Sequence, residues 1–142
     1  MSSDANRQER LERARALRQR GEAARRKDGA TAQECYEEAV ALCRETGEPL
    51  VLAHVVRHLG DVYQEQERPD LAEPCYNEAL RLYRDHEQVL SLDLANAIRS
   101  MAVLRWEQTR NLWKEAHGLY ANLSIEAGVK ESAGRLEALS KV

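Results

Sequence analysis

Phenylalanine is absent from this chain, and glycine and proline are scarce, seven and three in 142 residues. With 32% charged and 43% hydrophobic residues, that is the balance of a soluble all-helical protein. Long apolar runs are absent as well. The N-terminal MSSDANRQER has no apolar signal core, and no lipidation pattern is present. These absences predict a cytoplasmic chain without a membrane partner. The three cysteines, Cys35, Cys43 and Cys75, are odd in number and contain no C-x-x-C pair. This argues against a disulfide framework and a zinc site, and predicts small buried core residues.

The patterns of catalysis are missing too. His54 and His58 lie four apart, but no glutamate follows His54 and no third ligand stands at metal spacing. Between Gly21 and Gly29 there is no Gly-Lys-Ser/Thr for a phosphate loop. No nucleophile, base and orienting acid are gathered, and Glu37-Glu38 and Glu65/Glu67 read as solvated helix faces. The expectation is a non-enzyme with no metal and no cofactor.

What is present is repetition. In residues 54–83, HVVRHLGDVYQEQERPDLAEPCYNEALRLY, one face of a first helix carries Val56, Leu59 and Tyr63; one face of a second carries Ala72, Tyr76, Ala79 and Tyr83. Gly60 and Ala79 lack bulk where the two helices cross. Leu59-Gly60, Tyr63, Ala72, Tyr76 and Ala79 fall at the intervals of the tetratricopeptide signature, and the stretch resembles that family. GDVYQEQERPDLAEPCYNEAL is also similar to the longer repeats of the kinesin-light-chain type, Glu73-Pro74 included. Three second-helix segments align as CYEEAVALCR, CYNEALRLYR and LWKEAHGLYA, matching Tyr36 and Ala39 with Tyr76 and Ala79 and with Trp113 and Ala116. The aromatic recurs after 40 and then 37 positions, longer than the ~34 of the standard unit. Repeat one departs from the signature at Arg20 and Ala24, repeat three at Ala102 and Arg105.

In order, the chain reads as a single domain over residues 1–142. Repeat one spans 4–46, its second helix opened by a Thr31–Glu34 capping box and ended by Gly47 and Pro49. Repeat two spans 49–86, with Pro74 either bending its second helix or marking a later start. Repeat three spans 90–123 and is divided by a turn at EQTRN. A solubilising capping helix, 125–141, is capped by Ser124 and buries Val129, Ala133, Leu136 and Leu139. The fold class implied is all-α: a right-handed superhelical stack of three antiparallel helix pairs plus the capping helix.

The resemblance implies a binding module, because the family takes peptide or protein segments into a concave groove lined by first helices. Carried over position by position, the groove slots are Arg18 and Glu22; His54, Arg57, Asp61 and Gln64; Asn96, Arg99, Val103 and Trp106. Two readings of the arginines stand side by side. They recognise an acidic segment or a C-terminal carboxylate, or Arg18–Glu22 and Arg57–Asp61 are ion pairs four residues apart. Trp106 is an apolar anchor or a core residue. Two alternatives to the groove remain. Residues 1–29 hold nine Lys/Arg against five Asp/Glu, which suggests a nucleic-acid or regulatory contact. Against it, these arginines spread around the helix, and no aromatic there offers a base a stacking partner. The other alternative is a homo-oligomer formed through an exposed helix face.

Overall fold

The computed structural model describes residues 2–86 and 92–141, with six helices and no strand among them: α1 (Ser2–Ala24), α2 (Gly29–Arg44), α3 (Pro49–Glu65), α4 (Pro69–His86), α5 (Leu92–Asn122) and α6 (Glu126–Ser140). α1 packs on α2, α3 on α4, and α2 on α3, giving the expected all-α stack of helix pairs. The chain divides into two compact units, Met1–Met101 and Ala102–Val142. The expected opening of the third repeat at Leu90–Ser91 lies outside the described residues.

Local chemistry sets the breaks. α2 is capped by Asp28, whose carboxylate accepts the Thr31 amide at 3.1 Å and the Thr31 hydroxyl at 2.6 Å; these bonds lower its pKa. The cap therefore lies three residues before the expected Thr31 box, since aspartate is at least as good a cap and Gly29 follows it into the helix. Gly47, in the left-handed region at φ 69°, turns the chain towards Pro49, the first residue of α3. Glu67 occupies the same region at φ 58°, with the Arg68 amide bonded back to the Tyr63 carbonyl at 2.9 Å, before Pro69 opens α4. α4 begins at Pro69 and runs on through the exposed Pro74, so of the two readings the later start is ruled out. The cost is the amide that would have bonded the Asp70 carbonyl.

The turn expected at EQTRN is absent. Residues 107–111 lie inside α5, a single 31-residue helix. The stretch holds neither glycine nor proline, and no residue in it adopts positive φ, whereas the real reversal at 123–125 has Ser124 at φ 55°. Ser124 thus ends α5 and caps nothing; Ile125 stands at the N-cap of α6 without a side-chain bond. The buried face of α6 is also rotated from the expected one. Gly128 and Ser132 are buried, Val129, Leu136 and Leu139 half-buried, and Ala133 exposed.

Steric fit decides how the pairs pack. A Cβ on Gly60 would stand 2.7 Å from Tyr76 Cε1, and one on Gly21 would stand 2.9 Å from Tyr36 Cε2. Both tyrosines are fully buried, with Ala32, Ala39, Ala72 and Ala79. Cys35 and Cys43 are buried, while Cys75 is only half-buried, a correction to the expectation for all three. Tyr76→Ala is expected to cost about 3–5 kcal/mol through the cavity it opens. Gly60→Leu should cost at least about 1–3 kcal/mol, because a rigid ring cannot step aside. Urea unfolding measures both, and an unchanged midpoint in the two variants would refute this packing.

Candidate functional site

α1 and α3 flank a cavity of about 380 Å³ lined by Leu11, Ala14, Val51 and Val55, with Gln8, Arg15, Arg18 and Glu48 also on its walls. The α1 contributors recur at steps of three and four, which places them on one helix face. The two cations differ from their neighbours. Arg7 pairs with Glu48, Arg10 with Glu45 at 3.3 Å, Arg13 with Glu38, and Arg25 with Glu65 at 2.5 Å. Among the described residues, no hydrogen bond or ion pair reaches Arg15 or Arg18. Glu48 is already engaged by Arg7, so this wall carries uncompensated positive charge above an apolar floor.

Further along α3 lies a denser polar cluster centred on Asp61. Tyr76 from α4 places its hydroxyl 2.7 Å from Asp61 Oδ1 and 2.7 Å from Gln64 Oε1. With one proton to donate, it favours the charged carboxylate. Ser100 from α5 donates to the same oxygen at 3.3 Å, Arg57 donates to Oδ2 at 3.4 Å, and Arg25, in the turn after α1, stands 3.9 Å from it. Asp61 therefore ties α3 to α4, to α5 and to the turn that follows α1. Repeat one has a smaller version, in which the Tyr36 hydroxyl donates to Glu22 at 3.0 Å and Arg25 lies 3.8 Å from that carboxylate. Burial first, and then the neighbouring carboxylates, push the Tyr36 and Tyr76 hydroxyl pKa values upward.

The carried-over slots separate into distinct environments. Arg57 is buried and held by Asp61 and His58, as the ion-pair reading requires, whereas Arg18 is half-buried and ignores Glu22. His54 is half-buried, with Nδ1 3.7 Å from Asp93 of α5. Gln64 faces Tyr76. Asn96 is half-buried and Arg99 exposed on α5. Val103 and Trp106 belong to the second compact unit, where Arg110 lies 5.1 Å over the half-buried Trp106 ring. The residues missed from sequence are Arg15, Leu11, Val51, Val55, Arg25 and Ser100. Leu11, Arg15 and Arg18 share a face by spacing alone, a signal that was available one turn before the motif positions.

Residues 12–85 match the family described as tetratricopeptide repeat. No curated protein and no solved structure matches the chain. The described residues hold no cluster of three or more metal-ligating side chains and no helix long and apolar enough to cross a membrane.

His58 supplies a pH test of the stack. Its ring lies 5.9 Å from Tyr36 in stacked orientation and 4.6 Å from His54 edge-on, with Arg57 beside it and Asp61 3.8 Å away. Burial, followed by Arg57 and His54, lowers its pKa to about 3. The folded state thus keeps His58 neutral where the unfolded chain takes up a proton near the ordinary ~6.5. This contribution is complete above the unfolded value and lost as pH falls from there towards about 3. His54, lowered by burial and by Arg18 and Arg57, acts in the same direction. The urea midpoint should fall between pH 7.5 and 5.5, and less steeply in His58→Gln. Equal slopes in the two proteins would show that His58 carries its charge in the fold.

Proposed function

The chain belongs to the tetratricopeptide-repeat family, and from that premise we propose that it is a non-catalytic adaptor in the cytoplasm, binding an acidic partner segment along α1 and α3. Repeats of this family generally mediate protein–protein interaction. The resemblance of residues 60–80 to the longer repeats of the kinesin-light-chain type accords with a scaffold role. The observation that carries the reading is the pair Arg15 and Arg18, unneutralised beside an apolar cavity while Arg7, Arg10, Arg13 and Arg25 are all matched by acids. Guanidinium groups accept carboxylates bidentately, whether from acidic side chains or a chain terminus, and the floor of Leu11, Val51 and Val55 offers an apolar anchor site.

Among the carried-over residues, Arg18 and His54 have the exposure to meet such a segment, and Arg99 presents a further cation in the same unit. Arg57, Asp61 and Gln64 act behind them by holding α3 against its neighbours. The internal pairing of three α1 arginines, Arg7, Arg10 and Arg13, and of Arg25 just beyond the helix weighs against the nucleic-acid alternative, which needs those charges for phosphates. Selection from a random peptide library should enrich Asp/Glu-rich sequences. Arg15→Glu with Arg18→Glu should abolish that enrichment while shifting folding by about 1 kcal/mol, since Arg15 is exposed and the half-buried Arg18 gives up no ion pair. Enrichment that survives the double reversal would move the interface off this wall.

A further inference from the structure

By sequence, LWKEAHGLYA in the second half of the unbroken α5 aligns with the second-helix segments of repeats one and two, setting Leu112 opposite Cys35 and Cys75, and Leu119 opposite Leu42 and Leu82. In the first two copies these positions are covered: Cys35 is 4% and Leu82 9% exposed, while Cys75 and Leu42 are half-buried. In the third copy Leu112 is 67% and Leu119 57% exposed, and Leu123 (67%) and Ile125 (44%) extend the open surface. α6 covers a different face of α5. Gly128 sits against Tyr120, Arg135 lies 5.7 Å over Trp113, and His117 Nδ1 is 2.9 Å from Ser132 Oγ. Thr109, Leu112, Ala116, Leu119 and Leu123 follow one another at alternating steps of three and four. That 3.5-residue period is the seam along which two helices pair.

We propose that this seam joins two copies of the chain, antiparallel about a twofold axis at Ala116, with Leu112 of each copy against Leu119 of the other and Thr109 against Leu123. Three features select a second copy as the occupant. The seam reads nearly alike in both directions from Ala116, a leucine on either side, and a twofold contact requires such self-complementarity. Ala116 at the axis lets the backbones approach closely. Residues 102–142 hold six Lys/Arg against five Asp/Glu, so two copies of this unit do not repel, whereas residues 1–101 carry four more acids than bases. The four exposed apolar side chains offer roughly half of the ~800 Å² per partner of a standard interface, so the dimer is weak and its population depends on concentration. Glu115 from both copies flanks the axis, and that like-charge contact loosens the pair.

Sedimentation of the full chain from about 1 µM to about 1 mM should show the average mass rising from the 16.2 kDa of one chain towards twice that value. Leu112→Glu with Leu119→Glu should stay at the single-chain mass throughout, with unchanged helicity and melting. Glu115→Gln should associate several-fold more tightly. Ala116→Cys should form a disulfide-linked dimer on mild oxidation, since residues meeting at the axis lie within disulfide reach. A single-chain mass at every concentration would overturn the proposal. So would association that persists in the double glutamate variant, or a dimer in which Ala116→Cys fails to cross-link.

Discussion

The contact on which the first unit depends is that of a glycine on one helix against a tyrosine ring on the next, Gly21 with Tyr36 and Gly60 with Tyr76. Because an aromatic ring has no soft end, the contact sets how close the two backbones come. It also sets rotation, since the residue after each glycine, Glu22 or Asp61, must then receive the tyrosine hydroxyl. One steric fit and one hydrogen bond therefore specify a helix crossing almost completely. Gly21 and Gly60 are 39 positions apart, and the recurrence of the same crossing is what makes the element stackable. In the second unit the same device appears in reverse chain order, with Tyr120 preceding Gly128.

Around this steric frame the charges are distributed by pairing. Glu38 of α2 and Glu45 and Glu48 in the turn between α2 and α3 take three of the six α1 arginines, and Arg44 of α2 reaches Glu78 of α4 at 2.6 Å. The Tyr63 hydroxyl donates across to Glu37 of α2 at 2.7 Å, and Gln66 Nε2 donates to the Gly29 carbonyl at 3.3 Å, so side chains and turns of adjacent repeats are joined too. Individually such exposed pairs contribute little to folding. Their larger effect is subtractive: they determine which cations remain for a partner.

Much of this was legible in the residues, because the signature of repeat two is itself a steric statement. Leu59, Gly60, Tyr63, Ala72, Tyr76 and Ala79 are all where close packing needs them. The division of repeat three was not legible. Aligning LWKEAHGLYA with two earlier second helices presupposes a break before it, but breaks are made by glycine, proline or left-handed backbone, and EQTRN supplies none. Arg57 shows a different limit, since of its two readings only the ion pair with Asp61 is met. It is the repeat equivalent of Arg18, yet Asp61 turns towards Arg57 while Glu22 is engaged by Tyr36 and Arg25. Equivalence in register does not carry over to equivalence in exposure when the neighbouring helices differ.

The cysteines give the stack a chemical character as well as packing. Cys35 and Cys43 are sealed inside it, and burial raises the Cys43 thiol pKa. Burial followed by Glu78 pushes the Cys75 thiol up to about 11 from 9.0, which leaves about a hundredfold less thiolate at neutral pH. Since the thiolate is the species that attacks peroxides and disulfides, burial and a raised pKa slow oxidation of these cysteines. A helical stack built this way holds its shape through swings in oxidant that would cross-link a protein with the same cysteines at its surface.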